Sequence, residues 1–196
     1  MVWFKKKQKI DSVAIAQQAL WAVEDCKLDR HLLRLQLQES PTLNASYAAF
    51  LKHCLDIAPD ATHTLADEVD LLKQYIACYA NLQHTPIFVK TTLAIHSDCN
   101  NIQIPVFMLF PLVQNALVGG YNVMEKFPLR IRLSAENYSL KLEVSNRVNH
   151  YVQSQADSIG IQHFKSRLQH TYTDRQELFF NSNSALFKAT LMLKLK

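Results

Sequence analysis

The segment Ile104-Pro-Val-Phe-Met-Leu-Phe-Pro-Leu-Val-Gln-Asn-Ala-Leu-Val-Gly-Gly120 carries one adjacent amide pair, Gln114-Asn115, inside an otherwise apolar run. Each amide brings an oxygen acceptor and two N–H donors but no charge. If buried, the two need hydrogen-bond partners, so a satisfied core amide or a helix kink is the plain reading. Neither amide takes up a proton at neutral pH, which removes general-base work from this pair. The segment itself reads as an apolar helix ending at Gly119-Gly120, with Pro105 in its first turn and Pro111 as an interior kink.

Bulk properties narrow the rest. A chain of 196 residues holds one generous domain, or a small helical piece joined to one α/β domain. An apolar fraction of 48% and a charged fraction of 19% describe an ordinary globular protein. No apolar run approaches the roughly 20 residues that cross a bilayer, so no integral membrane span is expected. Met1-Val-Trp-Phe-Lys-Lys-Lys-Gln-Lys9 has basic residues without an apolar stretch behind them and reads as a solvated end, not a secretory signal. Cys26, Cys54, Cys78 and Cys99 are widely spaced with no CxxC pair, which argues against zinc and against a disulfide framework and fits a reducing cytoplasm. A net charge of +4 is too small and scattered to argue for nucleic acid. The chain has only Gly119, Gly120 and Gly160, which leaves little for a glycine-rich phosphate cradle.

The elements that must position the amides fall in two textures. Residues 12–39 show helical apolar spacing through Val13, Ala16, Leu20 and Val23, then Leu28, Leu32 and Leu35. Ser40-Pro41 reads as the start of a second helix through Tyr47, Phe50, Leu51 and Cys54. Thr64-Leu-Ala-Asp67 resembles a capping box that opens a third helix through Val69, Leu72, Tyr75 and Tyr79. Strand alternation follows at 86–95, then the apolar helix, then strands at 129–133 and 139–144 joined by a turn at Ala135-Glu-Asn-Tyr138. A polar loop at 146–157, a helix at about 159–172 and two strands around 177–181 and 185–195 complete the chain. The expected class is α+β: helices first, then a mixed sheet with helices on one face.

Several blocks, in order, carry a family resemblance. Leu65-Ala-Asp-Glu-Val-Asp-Leu-Leu-Lys-Gln-Tyr75, Ile104-Pro105 through Pro111-Leu-Val-Gln-Asn-Ala116, and Ser158-Ile-Gly-Ile161 with Arg167-Leu168 and Tyr172 are the main ones. They resemble the LytS/YpdA-type sensor histidine kinases, whose catalytic domain has the GHKL ATPase fold, over roughly residues 45–196. The resemblance implies a helical dimerisation-like segment at 1–60 and a GHKL/Bergerat-type α/β sandwich at 61–196. It also implies an ATP-like cleft built from Asn115, Gln114, Asn146, Gly160, Ser158 and Gly120, with Asn115 as the Mg²⁺ ligand if Mg-ATP binds.

The chain departs from that pattern where chemistry is concentrated. The family's N-box Glu is Gln114, and the Lys-His pair that commonly follows is Val118-Gly119. Its adenine-reading Asp falls near Asn146, and the next Gly is Arg147. The second glycine box keeps only Gly160, and the Pro-His-Phe-Leu-Phe-Asn phosphoacceptor motif is missing, which leaves His31 and His53 without its context. The resemblance thus implies a degenerate, pseudokinase-like protein of two-component signalling that works by protein contacts. Its implied partners are a second copy of itself, through Leu32, Leu35, Phe50 and Leu51, and a response regulator or cognate kinase. The alternative is a Mg-ATP-dependent kinase or ATPase with an atypical acceptor. A lost nucleotide cleft is expected to be filled by a bulky group such as Arg147, Phe164 or Tyr121.

Overall fold

A computed structural model describes residues 12–40, 42–151 and 155–195. The chain runs α1 (Ser12–Lys27), α2 (Arg30–Glu39), α3 (Ala45–Asp56), β1 (Thr62–Thr64), α4 (Leu65–Asn81), β2 (Val89–Ile95), β3 (Gln103–Pro105) and α5 (Phe110–Gly119). It continues through β4 (Leu129–Glu136), β5 (Ser139–Arg147), α6 (Ile159–Tyr172), β6 (Gln176–Ser182) and β7 (Leu186–Lys194). Five strands form one mixed sheet in the order β2-β4-β5-β7-β6, parallel between β2 and β4 and antiparallel elsewhere. β1 and β3 pair separately as a short antiparallel ribbon. The expected α+β class with a mixed sheet is therefore what the chain adopts. Among the described residues no helix is long and apolar enough to cross a membrane.

Period-two patterning turns the sheet into a two-sided object. Leu129, Ile131, Leu133 and Ala135 of β4 are buried, and the residues between them are exposed. Leu140, Leu142 and Val144 of β5 and Phe187, Ala189, Leu191 and Leu193 of β7 extend the buried face. The same alternation brings Asn146 inward, one step beyond Val144, at 1% exposure. Asn137 and Tyr138 take left-handed φ of 50° and 58° in the β4–β5 hairpin, at the end of the turn expected there. One contiguous core runs from Val23 of α1 to Leu193 of β7. It takes in Leu32 and Phe50, while Leu35 and Leu51 pack partly against it, so these four residues serve the chain's own interior and not an open dimer surface.

Local polar groups set the helix ends. Thr64 and Asp67 form the reciprocal capping box at the start of α4. The long helical pattern of residues 12–39 breaks at Asp29, whose Oδ1 accepts from the N–H groups of His31 and Leu32 at 2.8 and 3.0 Å and so starts α2. α3 is capped by Asn44, not by Ser40, which instead ends α2. Pro41 and the basic N-terminus lie outside the described residues. The apolar helix also begins later than its sequence suggests. Pro105 belongs to β3, and Pro111 sits in the first turn of α5, where its missing N–H costs nothing and no kink results.

The cause is a turn clamped from two sides. Glu68 of α4, at 0% exposure, accepts from the backbone N–H of Phe107 at 2.8 Å and of Leu109 at 2.7 Å. His63 Nε2 lies 2.6 Å from the same carboxylate. Arg167 of α6, at 3% exposure, donates to the carbonyls of Val106 and Phe107. Phe107 holds φ of 56°, a conformation that costs a bulky residue on the order of 1–3 kcal/mol and survives only when its surroundings fix it. Removing one of two buried opposite charges leaves the other uncompensated, so Glu68→Ala is expected to lower unfolding free energy by about 3–5 kcal/mol in urea denaturation.

Burial also sets the alkaline limit. Desolvation raises the thiols of Cys26, Cys54 and Cys78, Cys54 to about 12, and raises the Tyr47 and Tyr172 hydroxyls to about 12. In the unfolded chain these groups ionise near about 8.5 and 10. Because the folded values are the higher ones, their contribution is complete below about pH 8 and is lost progressively as pH rises toward the folded values. Thermal melts between pH 7 and 11 should show the midpoint falling steadily above about pH 8.5.

Candidate functional site

Three of the six sequence-derived site residues, Asn115, Asn146 and Ser158, form one hydrogen-bonded cluster with a side chain that the sequence did not single out. Gln155, at 7% exposure, lies in a single 3₁₀ turn (Gln155–Asp157) between β5 and α6. Its backbone carbonyl accepts from Asn115 Nδ2 at 3.1 Å, and its Nε2 donates to the Asn115 carbonyl at 3.2 Å. Its Oε1 accepts from Asn146 Nδ2 at 3.0 Å. Asn115 Oδ1 accepts from Ser158 Oγ at 3.0 Å, and Ser158 in turn caps α6. Both functional groups of Asn115 are therefore satisfied by protein. This cluster ties α5, the end of β5 and the start of α6 into one unit.

The two neighbouring glycines are explained by the same contacts. A Cβ on Gly119 would meet the Gln155 side chain at 3.0 Å. A Cβ on Gly120 would lie 2.5 Å from the Ala116 carbonyl and 2.6 Å from Asn146 Nδ2. Gly120 is thus a close-approach position between the helix end and the sheet. Gly160, in the first turn of α6, has open space where its Cβ would be.

Gln114 and Gly160 face a different space. With Asn115 and Ser158 they border a cavity of about 320 Å³, closed on its far side by Cys26, Asp29 and His31 of the α1–α2 elbow. Gln114 Oε1 accepts from Cys26 Sγ at 3.4 Å, while its Nε2 is buried without a hydrogen-bond partner. Asp29 Oδ2 accepts from Tyr75 OH at 2.5 Å, which pins the elbow to α4. The His31 ring stacks on Tyr79 at 5.9 Å between centroids. α1 is held along α6 by Asp25 against His163 at 2.9 Å and by Ser166 Oγ donating to Gln18 at 2.5 Å. His53 lines a separate cavity with His63, Asp67 and Asp70, away from Asn115.

The three bulky groups expected to fill a lost cleft do other work. Phe164 is core at 0% exposure. Tyr121 is exposed, and its backbone bridges to Arg147. The Arg147 guanidinium lies 5.2 Å over the Phe127 ring and 3.3 Å from Met124 Sδ. The side chain that lies between Asn115 and Asn146 is Gln155. It sits in a polar loop without periodicity, and no spacing rule reaches it. Among the described residues no group of three or more His, Cys, Asp or Glu side chains is arranged to hold a metal ion.

The glycine geometry gives two substitutions with opposite signs. Gly120→Ala is expected to destabilise by about 1–3 kcal/mol, because the obstructing atoms include a backbone carbonyl. Gly160→Ala should stabilise by about 0.5–1 kcal/mol, since the site is helical and unobstructed. Urea unfolding of the two variants beside the parent protein checks both.

No protein-family model matches the chain, and no curated protein sequence matches it. Solved structures do. The histidine kinase AdeS of Acinetobacter baumannii superposes with a TM-score of 0.50 at 10% identity, covering 95% of this chain and 96% of that one. The histidine kinase domain of the blue-light-activated kinase of Erythrobacter litoralis gives a TM-score of 0.52 at 12% identity, covering 93% and 96%. The fold is that of histidine-kinase GHKL domains together with their preceding helices.

Proposed function

We propose that this chain is a degenerate sensor-histidine-kinase homologue, a pseudokinase of two-component signalling that acts through protein contacts and binds ATP weakly or not at all. The observation that carries this reading is the position of Gln155. Its side chain and backbone take both Asn115 and Asn146, the two residues that a nucleotide would need on the phosphate and adenine sides. Asn115 Oδ1, the atom that would meet Mg²⁺, already accepts from Ser158. Gln114 stands where a carboxylate would be needed and cannot accept a proton. The residues present therefore do not fit Mg-ATP.

On this reading residues 1–60 are the dimerisation-like segment and 61–196 the kinase-like domain. Val13, Leu20 and Trp21 recur at seven- and eight-residue spacing on α1 and are exposed, although the Trp21 ring also meets His163. Leu28 just past the helix end is exposed as well, which supports a homodimer through this part of the chain. A response regulator or a complete kinase is the partner that a cytoplasmic protein of this kind would serve. Sedimentation should show a dimer that Leu20→Glu shifts toward monomer by at least about tenfold in dissociation constant.

A second reading, a Mg-ATP-dependent kinase with an atypical acceptor, takes its support from one observation: His31 and Asn115 border the same cavity. Calorimetry with a non-hydrolysable ATP analogue and Mg²⁺ separates the two readings. The expected result is no saturable heat at millimolar nucleotide for the parent protein. Saturable binding that Asn115→Ala abolishes would sink the pseudokinase reading.

A further inference from the structure

The two edges of the sheet are treated very differently. β6 has one face packed: Leu178 and Phe180 are half-buried toward α6, and Lys165 Nζ lies 5.2 Å over the Phe180 ring. β2 is not covered. Five consecutive residues, Lys90 to Ala94, are exposed, including Leu93 at 41% on the side where β4 and β5 carry their core residues. β2 nevertheless runs in unbroken register with β4 over seven residues, from Val89 against Leu129 to Ile95 against Ala135. It contains no proline and no bulge, devices that commonly blunt an edge.

Its backbone has a free side of defined composition. Leu129 N–H donates to the Phe88 carbonyl and His96 N–H to the Ala135 carbonyl, which places the even-numbered residues toward β4. Val89, Thr91, Leu93 and Ile95 therefore aim their N–H and C=O groups away from the sheet. Their side chains share the inner face, which is apolar at Val89, Leu93 and Ile95. On the opposite, open face Lys90 lies beside Arg130, and Arg132 is two residues further along β4. None of these three cations has an ion-pair partner among the described residues. Glu143, the register partner of Arg132, is held by Lys141 and Lys188 instead.

We propose that the β2 edge is a docking site for an extended segment of another protein in which acidic and apolar side chains alternate. An added strand lies about 4.8 Å from β2, with its side chains alternating between the two faces. Apolar residues then cover Leu93 and its neighbours. Acidic residues face Lys90 directly and reach Arg130 and Arg132 across about 9–10 Å, a distance that arginine and glutamate side chains span together. Backbone pairing supplies affinity, and the two faces impose the alternation.

The test uses the full chain and a fluorescein-labelled nine-residue peptide alternating Glu and Val, with a Lys-Val peptide as control, read by anisotropy at low salt. Thr91→Pro removes one outward N–H at an edge position that tolerates proline. Arg130→Glu combined with Arg132→Glu reverses the exposed charge, and circular dichroism confirms that both variants fold. The expected result is saturable binding of the Glu-Val peptide alone, weakened at least about tenfold by either change. It should be accompanied by slowed amide exchange at Val89, Thr91, Leu93 and Ile95. No binding, equal binding of the Lys-Val peptide, or binding indifferent to Thr91→Pro would overturn the proposal. So would an oligothymidylate that competes with the peptide on the cationic face and ignores Thr91→Pro.

Discussion

The turn at Val106–Leu109 is the constraint on which the rest of the structure leans. Glu68 takes two of its N–H groups and Arg167 two of its carbonyls, so helices far apart in sequence grip one short piece of backbone. Two fully desolvated charges are a costly way to hold a turn, and hydrophobic replacements often hold structure as well. What the charges supply here is direction. They fix Phe107 in a left-handed conformation and thereby set where α5 begins and which way it points. The position of Asn115 on that helix, and of everything bonded to it, follows.

From α5 outward the polar interior is organised by amides and not by ionisable groups. Asn115, Asn146, Gln155 and Ser158 satisfy one another with little recourse to solvent. Such a network is insensitive to pH across the physiological range because none of its members titrates there. It also costs dearly when incomplete, since a buried unpaired amide loses its full desolvation energy of about 1–3 kcal/mol. Asn146 Oδ1 is the buried atom in it without a partner, and Gln114 Nε2 is another just outside it, at the neighbouring cavity. The neighbouring cavity, closed by the α1–α2 elbow, is a separate space that shares Asn115 and Ser158 with the cluster.

Much of the fold was legible because periodicity is a local property. The alternation of β4 and β5, the capping box at Thr64 and the helix near 159–172 all appear where their residues suggest. The misplaced features have non-local causes. The start of α5 moved from Pro105 to Phe110 because a carboxylate 39 residues upstream of Phe107 captured its N–H. α1 and α2 separated at Asp29 because that side chain serves both a cap and the Tyr75 hydroxyl, 46 residues away. At the site, Asn115 was visible as half of an amide pair inside an apolar run, and Asn146 only through the family resemblance. Gln155 was not, since a polar residue in a polar loop gives no sign of being buried.

The sheet's single parallel pairing has a consequence for how the molecule assembles. β4 and β5, and β6 and β7, are joined by short hairpins, while the α6 excursion lies between β5 and its partner β7. β2 must wait for the chain between Ile95 and Leu129 to be drawn in, with β3 and α5 placed along the way. Closing so long a loop before any reward arrives is entropically slow. β2, an edge with five exposed residues held by one neighbour, is the strand expected to open first. Changes within it should alter the rate of unfolding far more than the rate of folding.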